Sequence, residues 1–223
     1  MADANSIHLP CAPSQIGGFT TEFRVYFSQS EDVLRRLPYA EMEEAAARLY
    51  RAYEEGRKVF LFGNGGSASL ASHFACDLGK GTVTEAKLGK RFQVLSLADN
   101  MALITAWAND TSYEQVFAQQ LRNFIEPGDI AFAVSGSGQS RNVLMALEVA
   151  RGAGAVNIGL TGFTGGRMKA LCDVCIVIPS DNMQIIEDFH LSTAHALFTV
   201  VRQRVMDVAL NGQYLKRARS NSV

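Results

Sequence analysis

The chain has no long apolar run and no surplus of either charge. No uninterrupted apolar segment approaches the roughly 18 residues of a membrane span, and the first twenty residues lack the basic start and apolar block of an export signal. The expectation is a cytoplasmic protein with no membrane partner. Against 21 Lys and Arg stand 22 Asp and Glu, a formal net charge of −1 that offers no broad electrostatic footprint for nucleic acid. Cysteine is scarce: Cys11, Cys76, Cys172 and Cys175 lack the spacing of a disulfide framework. Cys172-x-x-Cys175 has no second pair to complete a zinc knuckle and lies in an apolar run, so it reads as a pair of reduced core thiols. The glycine-rich turns are not followed by Lys-Ser/Thr, and no G-x-G-x-x-G with a ribose-binding acid occurs, which disfavours nucleotide binding.

With 48% hydrophobic and 19% charged residues, 223 residues suffice for one well-filled α/β domain. Residues 1–18, with Pro10, Pro13 and Gly17-Gly18, read as a loose arm, 19–212 as the domain and 213–223 as a basic tail around Lys216-Arg217. Apolar positions recur at helical spacing from Thr20 to Glu55, broken near Leu37-Pro38, which predicts two helices before the first strand. Strands are expected at Lys58–Phe62, Phe92–Leu97, Ile130–Val134, Val156–Thr161 and Val174–Ile178. Helical stretches near 67–79, 99–109, 112–125, 140–153 and 166–171 separate them. Buried-type strands alternating with helices predict a doubly wound, five-stranded parallel sheet with helices on both faces. The last helix, from about Asn182 to Leu210, is apolar nearly all round. Together with the two N-terminal helices it predicts burial between subunits of a homo-oligomer.

Two corners carry the chemistry. Phe60-Leu61-Phe62 runs into Gly63-Asn64-Gly65-Gly66-Ser67-Ala68 and then a helix. Glycine lets the backbone turn sharply and approach a ligand, and the helix aims free N–H groups and its positive dipole end at the turn. One such turn also serves plain packing. The pattern repeats, however, where Ile130–Val134 leads through Ser135-Gly136-Ser137-Gly138-Gln139-Ser140 into a helix from Arg141. Hydroxyls and helix N–H groups without lysine suit a sugar phosphate that must be released again.

On the first of these helices His73 and Asp77 stand four residues apart and share a face. The last helix carries Glu187, Asp188, His190 and His195. On an ideal helix Asp188 lies within about 20° of His195 and Glu187 about 80° away, and the longer Glu187 stem keeps both acids in play. His190 reads as a capped or surface histidine and His195, in apolar surroundings, as functional. Two imidazoles and two carboxylates at one point would form a site for zinc or another borderline divalent ion, or, without metal, an acid and a base.

Five motifs in combination resemble the sugar isomerase (SIS) domain proteins and, within them, the phosphoheptose or sedoheptulose 7-phosphate isomerases. They are Gly63–Ala68 with His73; Ser96-Leu97-Ala98-Asp99-Asn100; Thr105-Ala106-Trp107-Ala108-Asn109-Asp110; Ser135 through Val143; and Glu187-Asp188-Phe189-His190 with His195. The resemblance covers residues 20 to 210 and implies a flavodoxin-like SIS fold, while the apolar helices at 20–55 and 182–210 set the expected oligomer as a homotetramer. The resemblance makes Ser67, Ser135, Ser137 and Ser140 phosphate or substrate ligands together with Gly65 and Gly66, and Asn64 and Asp99 holders of sugar hydroxyls. Asn100 and Glu187 belong to the same substrate set. One zinc per subunit is implied at His73, Asp77, Glu187 and His195. The implied reaction converts sedoheptulose 7-phosphate to D-glycero-D-manno-heptose 7-phosphate through an enediol, with Asp77 as base and His195 as acid, as the first step toward ADP- or GDP-heptose.

Three residues depart from the family's usual pattern: Asp77 stands for Glu, Glu187 for Gln and Asp188 for Glu. Asp77 is one methylene shorter and reaches less far unless its helix shifts, while Glu187 adds a charge that favours a dication. A free carboxylate, with a pKa of about 4, is a feeble base toward carbon, so the reaction demands a dry pocket or a metal that acidifies the substrate. Two alternatives remain: an isomerase of another phosphorylated ketose, and a non-catalytic SIS-domain adaptor that binds the replication initiator. The histidines and acids at the metal positions argue against the adaptor.

Overall fold

Short strands buried on both sides require helices above and below them, and the chain supplies both layers. The protein is described by a computed structural model over residues 18–82 and 90–220, with side chains given as far as residue 208. The strands are β1 (Lys58–Phe62), β2 (Gln93–Ser96), β3 (Ile130–Ser135), β4 (Val156–Thr161) and β5 (Val174–Val177). They form one sheet in the order β2-β1-β3-β4-β5, every neighbouring pair parallel. Strand order reverses between β1 and β3, where Phe62 pairs with Ala133. In such a sheet ligands bind beyond the carboxyl ends of the strands at that reversal.

Helices α1 (Thr20–Arg35) and α2 (Tyr39–Glu55) precede β1, separated at Pro38 as the spacing predicts. Next come α3 (Gly66–Cys76), α4 (Met101–Asp110), α5 (Val116–Arg122), α6 (Arg141–Gly152) and α7 (Met183–Ser220). Val59, Leu61, Phe132, Val134, Ile158 and Leu160 form one core layer with α2, α3 and α7. Phe60, Phe62, Ala131 and Ala133 face the other way, onto Leu121 of α5 and Leu144 and Leu147 of α6. Each large apolar side chain sealed in this way contributes about 1.5–3 kcal/mol. At the amino end of the sheet the buried Asp129 carboxylate accepts from the Lys58 and Glu126 backbone amides at 2.8 and 2.9 Å and from Lys58 Nζ at 3.0 Å, locking the register of β1 against β3. The amino end is thus fastened by charge, which leaves the carboxyl end for ligands.

Several boundaries differ from the expectation. The helix predicted over 112–125 is a 3₁₀ turn at Tyr113–Gln115 followed by α5, and 166–171 is a 3₁₀ turn at Arg167–Leu171. The helix predicted to reach residue 79 leaves α geometry at Asp77 and continues as a π turn, Asp77–Gly81. Backbone helix in α7 passes the expected end near Leu210 and runs to Ser220, through most of the predicted tail, whose side chains lie outside the described residues, as does the arm over 1–17. Of the two N-terminal helices, α2 buries Ala45, Ala46, Leu49 and Ala52 within its own chain, whereas α1 buries only Val33 and leaves Phe23, Phe27 and Leu34 bare. Cys172 and Cys175 are free thiols that, with Met168, close over Gly159, in keeping with a packing role; Cys11 lies outside the described residues.

Candidate active site

The first corner leaves β1 at Phe62. A side chain on Gly63 would put its Cβ 2.6 Å from the Val134 carbonyl oxygen and 2.7 Å from Ser67 Cβ, so only glycine fits where β1 and β3 come together. Gly65 has room for a Cβ but adopts φ +55, which glycine reaches without strain. Asn64, expected to hold sugar hydroxyls, is committed elsewhere. Its amide exchanges hydrogen bonds with the Asn142 amide at 2.9 and 2.8 Å, and its oxygen also accepts from the Tyr113 hydroxyl at 3.0 Å. It therefore ties the first corner to α6, a role in which the sequence reading missed Asn142 although it follows the second corner directly.

The second corner lies alongside, at the end of β3. Ser135 Oγ and Ser140 Oγ are 3.3 Å apart, and Ser137 Oγ accepts from the Gln139 amide at 3.3 Å. Ser140 stands at the N-cap of α6 but makes no side-chain cap, so its hydroxyl is turned to Ser135 and the corner. Beyond β2, Asp99 accepts hydrogen bonds from Ser72 and, at 3.2 Å, from Ser96. Asn100 also serves the fold: its Oδ1 accepts from the Leu103 amide at 3.1 Å and caps α4.

Between α3 and α7 opens a cleft of about 450 Å³, lined by Gly66, Ser67, Ser69, Leu70, His73, Glu187, His190, Leu191 and His195. His73 Nε2 lies 2.8 Å from His195 Nε2, and Asp77 Oδ2 lies 3.5 Å from the first and 3.9 Å from the second. At 2.8 Å one ring nitrogen donates and the other accepts. The three ligand atoms lie within 4.8 Å of one another, which fits a divalent ion held by two imidazoles and one carboxylate with a position left open for substrate. Both histidine side chains remain 49% exposed, so the described residues do not by themselves complete the dry surroundings that such chemistry demands.

The fourth expected metal ligand, Glu187, is not in that cluster. Eight residues, about 12 Å of helix, separate it from His195. Its carboxylate oxygens lie instead 3.4 Å from where a Cβ on Gly66 would stand, against the positive end of α3, and they remain on the cleft wall. Asp188, the competing acid, leaves the cleft: it accepts from the Tyr26 hydroxyl at 2.5 Å, and that bond pushes the tyrosine pKa up to about 12. His190 is not a surface residue. It is 1% exposed, and desolvation lowers its pKa to about 4.

A family model for the SIS domain matches residues 25–162, and relatives match over more of the chain. The phosphoheptose isomerase of Trichlorobacter lovleyi is 36% identical over 170 residues, 76% of this chain and 85% of the relative; that of Akkermansia muciniphila is 33% identical over 86% and 95%. The chain belongs to the phosphoheptose isomerases of the SIS-domain family. Solved structures agree. The phosphoheptose isomerase of Neisseria gonorrhoeae superposes with a TM-score of 0.76 at 26% identity, over 83% of this chain and 100% of that one, and that of Francisella tularensis with 0.76 at 28% over 83% and 99%. The SIS match takes in both corners, His73 and Asp77, and ends before α7, which brings Glu187, His190 and His195.

Proposed function

We propose that the protein isomerises sedoheptulose 7-phosphate to D-glycero-D-manno-heptose 7-phosphate in the cytoplasm, opening the route to ADP- or GDP-heptose. One observation carries the reading beyond family membership: Asp77, His73 and His195 converge beside two lysine-free anion corners at the strand reversal. The phosphate sits on the N-termini of α3 and α6 and the hydroxyls of Ser67, Ser135, Ser137 and Ser140. From there the open-chain sugar reaches along the cleft to the cluster. Asp77 takes the proton from C1, the electron pair becomes the C1–C2 double bond, and the C2 oxygen takes a proton from His195. The enediol collapses when the C1 hydroxyl returns a proton to His195 and Asp77 delivers its proton to C2, which leaves the aldehyde at C1.

Zinc is the ion we propose for His73, Asp77 and His195; when bound, it polarises the oxygens on C1 and C2 and acidifies the C1–H bond. A homotetramer that covers the half-exposed histidines completes the reading, with the bare aromatic face of α1 as its interface. Incubation with zinc and sedoheptulose 7-phosphate, followed by NMR of the products, tests the reaction. The expected result is the aldose heptose 7-phosphate, and absence of any aldose product overturns the assignment.

A further inference from the structure

His190 is the residue of the cleft that the proposed chemistry does not use. It follows Ile186 by one turn of α7, and Ile186 presses on the end of β4, its Cδ1 within 2.4 Å of where Gly162 would carry a Cβ. Three residues before it, Glu187 faces Gly66 across the cleft. The imidazole lies between these two directions, sealed against the sheet on one side and part of the cleft wall on the other. Although only 1% exposed, both ring nitrogens lack a hydrogen-bond partner among the described residues. A leucine or phenylalanine would fill the same space without burying two unpaired polar atoms, so packing alone does not account for histidine here.

We propose that His190 is a substrate-binding residue, its imidazole hydrogen-bonding a hydroxyl of the open-chain sugar phosphate in the cleft. This rests on the sugar-phosphate reading of the site. A sugar hydroxyl both donates and accepts, and an uncharged imidazole offers one donor and one acceptor, so the two match whichever tautomer is present. Desolvation keeps the ring uncharged, and the Thr161 backbone opposes that shift without closing a hydrogen bond of good geometry. A ring held neutral in this way orients the sugar and moves no proton, which separates its part from that of the half-exposed His195. The anchor for the phosphate lies at the two corners, so His190 recognises the polyol chain instead.

The test compares the full-length parent with His190→Leu and His190→Gln, using calorimetry with sedoheptulose 7-phosphate and with inorganic phosphate, plus steady-state kinetics. For His190→Leu the expected result is a Kd and KM for the sugar phosphate raised about tenfold, with kcat changed less than KM, inorganic phosphate binding unchanged and bound metal unchanged. His190→Gln keeps a donor and an acceptor and should recover part of the loss. Sugar-phosphate affinity within twofold of the parent in both variants overturns the proposal and leaves His190 as packing. Where His190→Leu does not fold, the glutamine variant decides: a smaller loss confined to the sugar phosphate supports the role, and unchanged affinity or equal weakening of inorganic phosphate overturns it. If the parent binds the sugar phosphate but does not isomerise it, the proposed reaction fails while the binding comparison still stands.

Discussion

Asp77 carries the heaviest demand of any residue, because it is the shortest acid that can serve the cluster and stands close to both imidazoles. As the base, Asp77→Asn should lower turnover at least about a hundredfold with sugar-phosphate affinity nearly unchanged. As chiefly a metal ligand, the same variant should lose metal and activity together and regain part of both in excess zinc. Metal analysis alongside kinetics separates the two, and a variant with full metal and near-parent turnover removes Asp77 from both roles. Four-residue spacing put His73 and Asp77 on one helix face, but nothing local joins them to His195 on α7; the family resemblance joined them, and the structure brings the three together. Residue types did not separate Glu187 from Asp188, which are adjacent and alike; the Tyr26 hydroxyl on α1 claims one, and no local pattern announces that. His190 was misread for a related reason: helical spacing gives a side chain's direction around its own axis, not what the rest of the fold sets against it. The capping part played by Asn100 was not legible either, because a capping asparagine and a ligand asparagine look the same in sequence.

At the scale of elements, the strands and both corners were legible because buried apolar runs ending in glycine and serine have few other uses. The π turn at Asp77–Gly81 was not, since nothing in Asp-Leu-Gly-Lys-Gly marks a widened turn. It begins at Asp77 itself, and its last residue shows how it is held. Gly81 lies so close to α7 that a Cβ there would meet Phe198 Cζ at 2.5 Å. The widened turn and the helix bearing His195 are therefore fitted to each other. The second corner makes a separate prediction. A neutral hydrogen bond contributes about 0.5–1.5 kcal/mol, so Ser137→Ala and Ser140→Ala should each weaken sedoheptulose 7-phosphate binding about three- to tenfold by calorimetry. Parent-like affinity in both variants would mean that the hydroxyls at 3.3 Å serve only to shape the loop.

For the whole molecule, the unfinished business is α1. Phe23 and Phe27 are 63% and 66% exposed, more apolar surface than a lone helix keeps in water without a partner. Light scattering at micromolar concentration should give a tetramer for the parent and smaller species for Phe23→Ser combined with Phe27→Ser, with activity falling as the half-exposed histidines lose their cover. A monomeric parent would overturn the oligomer. The order of the chain has one more effect. Half of the cleft, from Gly66 to Asp77, is synthesised early, whereas Glu187, His190 and His195 arrive on the last helix, which also roofs Val134 and Leu160 of the sheet. A ribosome-bound chain that ends before α7 can fold neither that face nor the pair of imidazoles. The proposed metal site therefore forms only once α7 has been made, and a product cut short before it is left with one bare sheet face.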